Sequence, residues 1–363
     1  MERRIVSNRQ IPVIVLAGFL GSGKTTLLNQ LLRHSGGTRI GVIVNDFGSI
    51  EIDAMSVAGQ VGSTVSLGNG CLCCAVDGSE LDAYLEKLTR PSVGLDVIVI
   101  EASGIAEPQE LVRMLLGSEN PHIVYGGLVE VVDAAEFDAT RQRHPEVERH
   151  LALADLVVLN KADRVDEAEH GRILRAVSGL VDGAAVVSAT YGRIDPELLF
   201  DARPKGERIG QLSFDDLDDH DGHDHHAAPH LHAAYESVAL TSAQPLHPRR
   251  LLDFLDSRPV GLYRIKGFVD FGAHDPGNRY VLHAVGRFLR FYPEPWPRGA
   301  ERLTQLVLIG SGVDGDKLLL ELQECRDREP QQPAPEAMWG VLRYVLEADQ
   351  GADLDVPQNP EAD

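Results

Sequence analysis

The sequence predicts an α/β protein, with a mostly parallel sheet flanked by helices and then a smaller α+β domain. Three observations predict it. Over about the first two hundred residues, short apolar runs alternate with helix-like stretches. Those runs are apolar along their whole length rather than at every second residue, as in strands covered on both faces. After a break in composition near Asp215, strand-like runs dominate.

Taken in order, "IPVIVLAGF", "RIGVIVNDF", "LDVIVIEAS", "YGGLVEVVDA", "ADLVVLNKAD" and "GAAVVSAT" read as strands of the first sheet. "KTTLLNQLLRHSG" has helical spacing and meets a stop at Gly36-Gly37. "EPQELVRMLLG" predicts a helix that opens at Pro108 and stops at Gly117. "SELDAYLEKLT" is also helical in spacing. "DDLDDHDGHDHHAAPHLH" holds almost nothing that could pack in a core and reads as a solvated linker. Strand patterns resume at "AYESVALTS" and continue in "GLYRIKGFVDF", "RYVLHAVGRFLRFYP" and "RLTQLVLIGSG". "PRRLLDFLDS" and "DGDKLLLELQECRD" read as helices among them. Within the Pro- and Asp-rich tail, "PEAMWGVLRYVLEAD" predicts one docking helix. The expected domains are therefore residues 1–212, a linker 213–232, a second domain 233–328 and a tail 329–363.

Composition excludes several classes. The formal charge of −21 argues against a nucleic-acid partner, which needs a basic face. No apolar run approaches the roughly eighteen residues that cross a bilayer. The start, "MERRIVSNRQIPVIVLAGF", resembles a secretory leader only superficially, because its apolar run continues into the motif described next. A cytoplasmic location is expected. Four cysteines in 363 residues make no disulfide framework, and thiols in a reducing compartment read as metal-binding or catalytic.

"GFLGSGKTT" (Gly18–Thr26) fits G-x-x-x-x-G-K-[ST] between an apolar strand and a helical run, the setting of a phosphate loop. Gly18, Gly21, Ser22 and Gly23 would turn backbone N–H groups toward phosphate oxygens. Lys24 would reach the β- and γ-phosphates, Thr25 would ligate Mg²⁺, and Thr26 completes the cradle. The first domain is thus expected to be a P-loop NTPase. "VIVIEASG" places Glu101 at a second strand end, where a carboxylate would join the Mg²⁺ shell. Gly104 could offer its N–H to the γ-phosphate. "LVVLNKAD" carries N-K-x-D at a third strand end. The Asp163 carboxylate can accept both N1–H and N2–H₂ of guanine, whereas adenine has no such donor pair. Asn160 would help fix the ring, the Lys161 stem would lie along it, and Ser188-Ala189 would present backbone to the guanine carbonyl. The expected ligand is GTP rather than ATP. No residue stands out as an arginine finger or water-positioning glutamine, so slow intrinsic hydrolysis is expected.

"LGNGCLCCAVDG" puts Cys71, Cys73 and Cys74 within four positions. Disulfide geometry is poor at such spacing. Thiolates this close can converge on one soft or borderline ion, which favours Zn²⁺ or Cu(I); thiol redox chemistry and plain packing are the alternatives. His220, His223, His225, His226, His230 and His232 fall in the linker, interleaved with Asp. They suit a weak, unselective loading site for divalent ions such as Zn²⁺, Ni²⁺, Co²⁺ or Cu²⁺. Cys325, alone on a helical run, reads as a core residue.

"GFLGSGKTTLLN", "VNDFGSIEIDA", "LGNGCLCCAV", "EASGIAEP", "VVDA", "NKAD" and "RIKGFVDF" together resemble the CobW family of metal-chaperone GTPases, within the SIMIBI class, from about residue 11 to 325. The resemblance implies that Cys71, Cys73 and Cys74 bind zinc, that "VNDFG" is a nucleotide-sensing switch, and that the second half is a CobW C-terminal domain. It further implies a client metalloprotein as partner and leaves a homodimer open. One position departs from the pattern: the family often carries Glu where this chain has Asp46, with Glu51 a nearby alternative. The expected activity is a GTP-dependent metallochaperone whose Zn²⁺ is released on hydrolysis. Cobalt delivery, serving cobalamin or nitrile-hydratase-like clients, and a thiol-redox-regulated GTPase are the competing readings.

Overall fold

A computed structural model of the chain describes residues 10–44, 64–66, 78–104, 106–200, 235–328 and 335–345. Seven parallel strands form the first sheet in the order β3-β2-β4-β1-β5-β6-β7. They are β1 (Ile11–Gly18), β2 (Ile40–Val44), β3 (Thr64–Ser66), β4 (Val97–Glu101), β5 (Ile123–Asp133), β6 (Leu156–Asn160) and β7 (Ala185–Ser188). Strands β1, β2, β4, β5 and β6 are buried along nearly their whole length, as their unbroken apolar runs require.

Helix α1 (Lys24–Arg33) covers one face, packing Leu27, Leu28 and Leu31 against Ile14, Leu16, Val129 and Val131. Helices α2 (Gly78–Leu88) and α3 (Pro108–Leu116) cover the other. Helices α4 (Phe137–Arg143), α5 (Glu146–Leu153) and α6 (Glu167–Ser178) share a further apolar cluster beside β5 and β6. The helix from Pro108 and the stop at Gly117 stand where the sequence predicts them. Because successive connections run to opposite sides of β1, the crevice for a ligand falls at the carboxyl ends of β1, β4 and β5.

The second sheet is antiparallel, in the order β11-β10-β9-β12-β8. Its strands are β8 (Glu236–Ser242), β9 (Leu262–Val269), β10 (Asn278–Val285), β11 (Phe288–Pro295) and β12 (Thr304–Gly310). Helices α7 (Pro248–Asp256) and α8 (Gly315–Glu324) pack on it. Two elements differ from expectation. "RYVLHAVGRFLRFYP" is a hairpin, turning at Gly286 in the left-handed region (φ 51°). The tail forms a 3-10 turn at Pro335–Met338 and only a short helix α9 (Trp339–Leu342). The helix stops because Tyr344 O accepts from Phe291 N (3.0 Å) and Val345 bridges to β11.

The two sheets meet through the amino ends of β5, β6 and β7. Asp155, just before β6, accepts from Tyr125 Oη (2.6 Å), Leu128 N (2.8 Å) and the Arg287 backbone. His283 Nε2 donates to Tyr125 O (2.9 Å), Gly261 N to Gly183 O (3.0 Å) and Ser311 Oγ to Val186 O (3.1 Å). Burial raises the Asp155 carboxyl to about 6, against the pull of these donors. Burial, with Arg264 adding to it, lowers His283 to about 4, so its ring is neutral. A Cβ on Gly286 would be driven into the Asp155 carboxylate. Gly286→Ala is therefore expected to cost about 3 kcal/mol, the left-handed backbone plus the displaced buried carboxylate. Gly299, also left-handed (φ 76°) but with open space around it, is the control; there alanine should cost only about 1 kcal/mol. Equal losses in denaturant melts would disprove the close-contact account.

Candidate nucleotide site

β1 delivers Gly18 to the carboxyl edge, and α1 begins six residues later at Lys24. Gly18 (φ 145°) leaves no room for a Cβ, which would strike Val131 O. Gly23 (φ 103°) would drive one into the Asn160 amide. Both glycines are thus demanded by close approach as well as by backbone angle. Ser22 N donates to Phe19 O (3.1 Å) and closes the turn. Lys24 is buried and folded back over the loop, with Nζ donating to Gly18 O (2.8 Å) and Phe19 O (3.4 Å). Thr26 is exposed on the first turn of α1.

The other strand ends converge on this loop. Thr25 Oγ1 donates to Glu101 Oε1 (2.6 Å), joining residues 76 positions apart. A Cβ on Gly104 would lie 2.9 Å from Leu20 N, so the segment after β4 packs directly on the loop. Asn160, 1% exposed, donates from Nδ2 to Ser22 O (2.9 Å) and accepts at Oδ1 from Gly192 N (2.9 Å). Its amide clips the phosphate loop to the segment after β7, a role the sequence alone did not suggest. Lys161 takes a left-handed backbone (φ 58°), and its Nζ donates to Gly21 O (2.6 Å) and pairs with Asp133 Oδ2 (2.7 Å). Asp163 stands exposed on the 3-10 turn Ala162–Arg164. Ser188 Oγ meets His170 Nε2 (2.8 Å). Ala189 N donates to Leu159 O (2.8 Å), so this amide is engaged within the chain; Ala189 O accepts from Ala162 N (3.1 Å).

Sequence reasoning missed what lies behind the loop. A cavity of about 340 Å³ is lined by Phe19–Ser22, Glu130, Asp133, Thr140 and Lys161. Glu130 is 2% exposed and Ser22 likewise. Neither Ser22 Oγ nor Glu130 Oε2 has a hydrogen-bond partner among the described residues. The signal was present: a lone glutamate inside the apolar run "GLVEVVDA".

Thr25 and Glu101 supply the hard oxygen donors that Mg²⁺ prefers. Asp46, Glu51, Cys71, Cys73, Cys74, His220, His223, His225, His226, His230 and His232 lie outside the described residues. Among the described residues no group of three or more His, Cys, Asp or Glu is arranged to hold a metal ion. Cys325 is buried, its thiol pushed up to about 11 by burial, as expected of a core residue. No described helix is long and apolar enough to cross a membrane.

Comparison with known proteins agrees with this geometry. Residues 12–188 match the CobW/HypB/UreG nucleotide-binding domain, and residues 235–326 match the cobalamin synthesis protein cobW C-terminal domain. "Zinc chaperone CobW" of a Sinorhizobium species is 30% identical over 83% of this chain and 93% of its own length. "Zinc chaperone CobW" of Pseudomonas aeruginosa is 32% identical over 84% and 88%. Among solved structures, the Zn(II)-bound YjiA GTPase from E. coli aligns with a TM-score of 0.42 at 22% identity, over 88% of this chain and 100% of that one. A phosphate loop locked to a strand-end glutamate and an N-K-x-D motif, read with the two domain matches and the full-length relatives, makes this chain a P-loop GTPase of the CobW/HypB/UreG family that carries the CobW C-terminal domain.

Proposed function

We propose that the protein is a GTP-driven zinc chaperone. Cys71, Cys73 and Cys74 hold Zn²⁺ as cargo, and GTP hydrolysis releases it to a client metalloprotein in the cytoplasm. The observation that carries this reading is a row of register. Ser66, the last residue of β3, pairs with Val44 at the end of β2, and Val44 pairs with Glu101 at the end of β4. The segment with the three cysteines lies between Ser66, where β3 ends, and Gly78, where α2 begins. It therefore departs level with Glu101 and only two strands away, about 10 Å at ordinary strand spacing. "VNDFG" leaves the neighbouring strand at the same level. A change around the γ-phosphate has a short path to the start of the segment that carries the thiols.

Roles follow from position. Gly18, Gly21, Ser22 and Gly23 supply backbone to the phosphates. Lys24 turns from its carbonyl contacts to the β- and γ-phosphates. Thr25 and Glu101 hold Mg²⁺, which when bound neutralises phosphate charge; Gly104 offers its N–H nearby. Asp163 reads guanine while Asn160 and Lys161 tie the base loop to the phosphate loop. The names of the relatives, zinc chaperones, support zinc over cobalt as cargo.

Zn²⁺ affinity measured by chelator competition, with GTPγS and then with GDP bound, tests the coupling. A difference of about a hundredfold or more, roughly 3 kcal/mol, is expected. Changing all three cysteines to serine should abolish tight Zn²⁺ binding and leave nucleotide binding intact. Equal affinity in the two nucleotide states ends the gating idea, and tight zinc in the triple variant ends the site.

A further inference from the structure

The N-K-x-D turn and the turn that follows β7 share an unusual backbone. Among the described residues only Lys161 (φ 58°) and Tyr191 (φ 53°) are non-glycine residues in the left-handed region. A bulky side chain is rare there, because its Cβ crowds the following carbonyl oxygen. Tyr191 takes the first central position of a tight turn, in which Arg193 N donates to Thr190 O (3.1 Å) and Gly192 (φ 69°) takes the second. Positive φ at both central residues marks a type I′ turn, which favours asparagine or glycine at the first. Gly192 is demanded by close approach, since a Cβ there would lie 2.7 Å from Leu27 N of α1. Nothing of that kind explains Tyr191. It is 65% exposed, and among the described residues its hydroxyl has no hydrogen bond and its ring no aromatic or cationic partner. Neither the geometry of the turn nor burial accounts for a tyrosine at this position.

The two turns are stitched together at two points. Asn160 Oδ1 accepts from Gly192 N (2.9 Å), and Ala189 O accepts from Ala162 N (3.1 Å). Between these ties lie Lys161 on one segment and Thr190 and Tyr191 on the other. The Lys161 side chain is drawn to the phosphate loop through Gly21 O and Asp133. The Asp163 side chain stands exposed two residues further on. We infer that Tyr191 stacks on the guanine ring, its phenol covering the face opposite the Lys161 stem while Asp163 holds the edge. A nucleobase is a flat aromatic surface that gains by leaving water for another ring, and such a stack is nearly indifferent to which base it covers. The two residues therefore divide the work. Asp163 selects the base, and Tyr191 adds affinity for whichever base is bound. The strained backbone at Tyr191 then holds an aromatic ring beside the ligand, as strained residues do at ligand clamps.

The stack rests on the proposal that Asp163 reads guanine, and the experiment separates the two claims. Affinities for the Mg²⁺ complexes of GDP, inosine diphosphate and pyrophosphate are measured for wild type, Tyr191→Phe, Tyr191→Ala and Tyr191→Gly. Asp163→Asn is measured with GDP and xanthosine diphosphate. Tyr191→Ala should bind GDP and inosine diphosphate about tenfold to a hundredfold more weakly, by one factor for both, while Tyr191→Phe stays within about threefold of wild type. Pyrophosphate has no base and should bind all the Tyr191 variants alike. Tyr191→Gly should lose GDP affinity as alanine does, yet melt no lower than wild type without nucleotide, because glycine suits the left-handed turn. If pyrophosphate weakens in parallel with GDP, the turn acts through Gly192 and α1, and the stack is overturned. If Asp163→Asn keeps the wild-type preference for GDP, the premise falls and the stack with it. If that preference changes but Tyr191→Ala binds GDP within about twofold of wild type, Asp163 keeps its role and the stack is overturned. Should the alanine and glycine variants not fold, Tyr191→Trp decides alone: GDP but not pyrophosphate should quench the added indole fluorescence, and an unquenched indole overturns the stack.

Discussion

Lys24→Ala should lower kcat for GTP hydrolysis by about a thousandfold. Phosphoryl transfer is catalysed almost wholly by positioning and by charge placed where charge develops, and losing one such group costs about 10²–10³. Lys24 is the buried cation of the phosphate loop, with Nζ 2.8 Å from Gly18 O. Burial pushes the Glu130 carboxyl up to about 8, so with alanine at 24 it would be neutral at pH 7 and leave no bare buried charge. The fold should therefore survive the substitution while the chemistry does not. Single-turnover phosphate release at saturating GTP, read beside a thermal melt, checks both halves. Hydrolysis within tenfold of wild type would remove Lys24 from the transition state.

Asp163→Asn should exchange the base that the site accepts. The side chain is exposed on its 3-10 turn, so stability should move by less than about 0.5 kcal/mol. The carboxylate can accept two donors from guanine. Asparagine can accept one and sets its own NH₂ against the other, a loss of about 3–4 kcal/mol or two to three orders of magnitude in affinity. Xanthine carries a carbonyl where guanine has its amine, so the variant should bind a xanthosine nucleotide in place of a guanosine one. Competition binding with GDP and XDP measures the exchange. An unchanged GDP:XDP ratio would show that Asp163 does not read the base.

Much of the nucleotide site was legible in the sequence because each of its parts is local. Gly18 to Thr26 needs only a strand, a glycine turn and a helix start, and all three are written in consecutive residues. Glu101 and Asn160 each end an unbroken apolar run, and both stand at the ends of buried strands. The partners of Asn160 illustrate the limit. N-K-x-D suggests a purine contact for Asn160, and the amide also bonds two backbone groups, Ser22 O and Gly192 N, while keeping a second N–H and a second acceptor lone pair. Nothing within eight residues of Asn160 could reveal that, since Ser22 is 138 positions away. The hairpin at Gly286 was hidden for another reason. Alternation continues through "VLHAVGRFLRF", and only the left-handed turn, held by Asp155 from the other sheet, breaks it.

The sequence by itself determined the class of the fold, the phosphate loop and the strand ends that surround it. Side-chain periodicity and glycine placement act over a few residues, and those are the signals that set strands, turns and helix starts. Only the tertiary structure decided the partners: Thr25 with Glu101, Lys161 with Gly21 O and Asp133, and Asp155 with the turn at Gly286. It also placed Glu130 on the wall of the cavity beside Phe19–Ser22 rather than in an apolar layer. Those pairings depend on strand order, β4 and β5 flanking β1. Order is settled by which apolar faces bury one another across the whole domain, a sum over distant contacts that no short stretch of residues encodes.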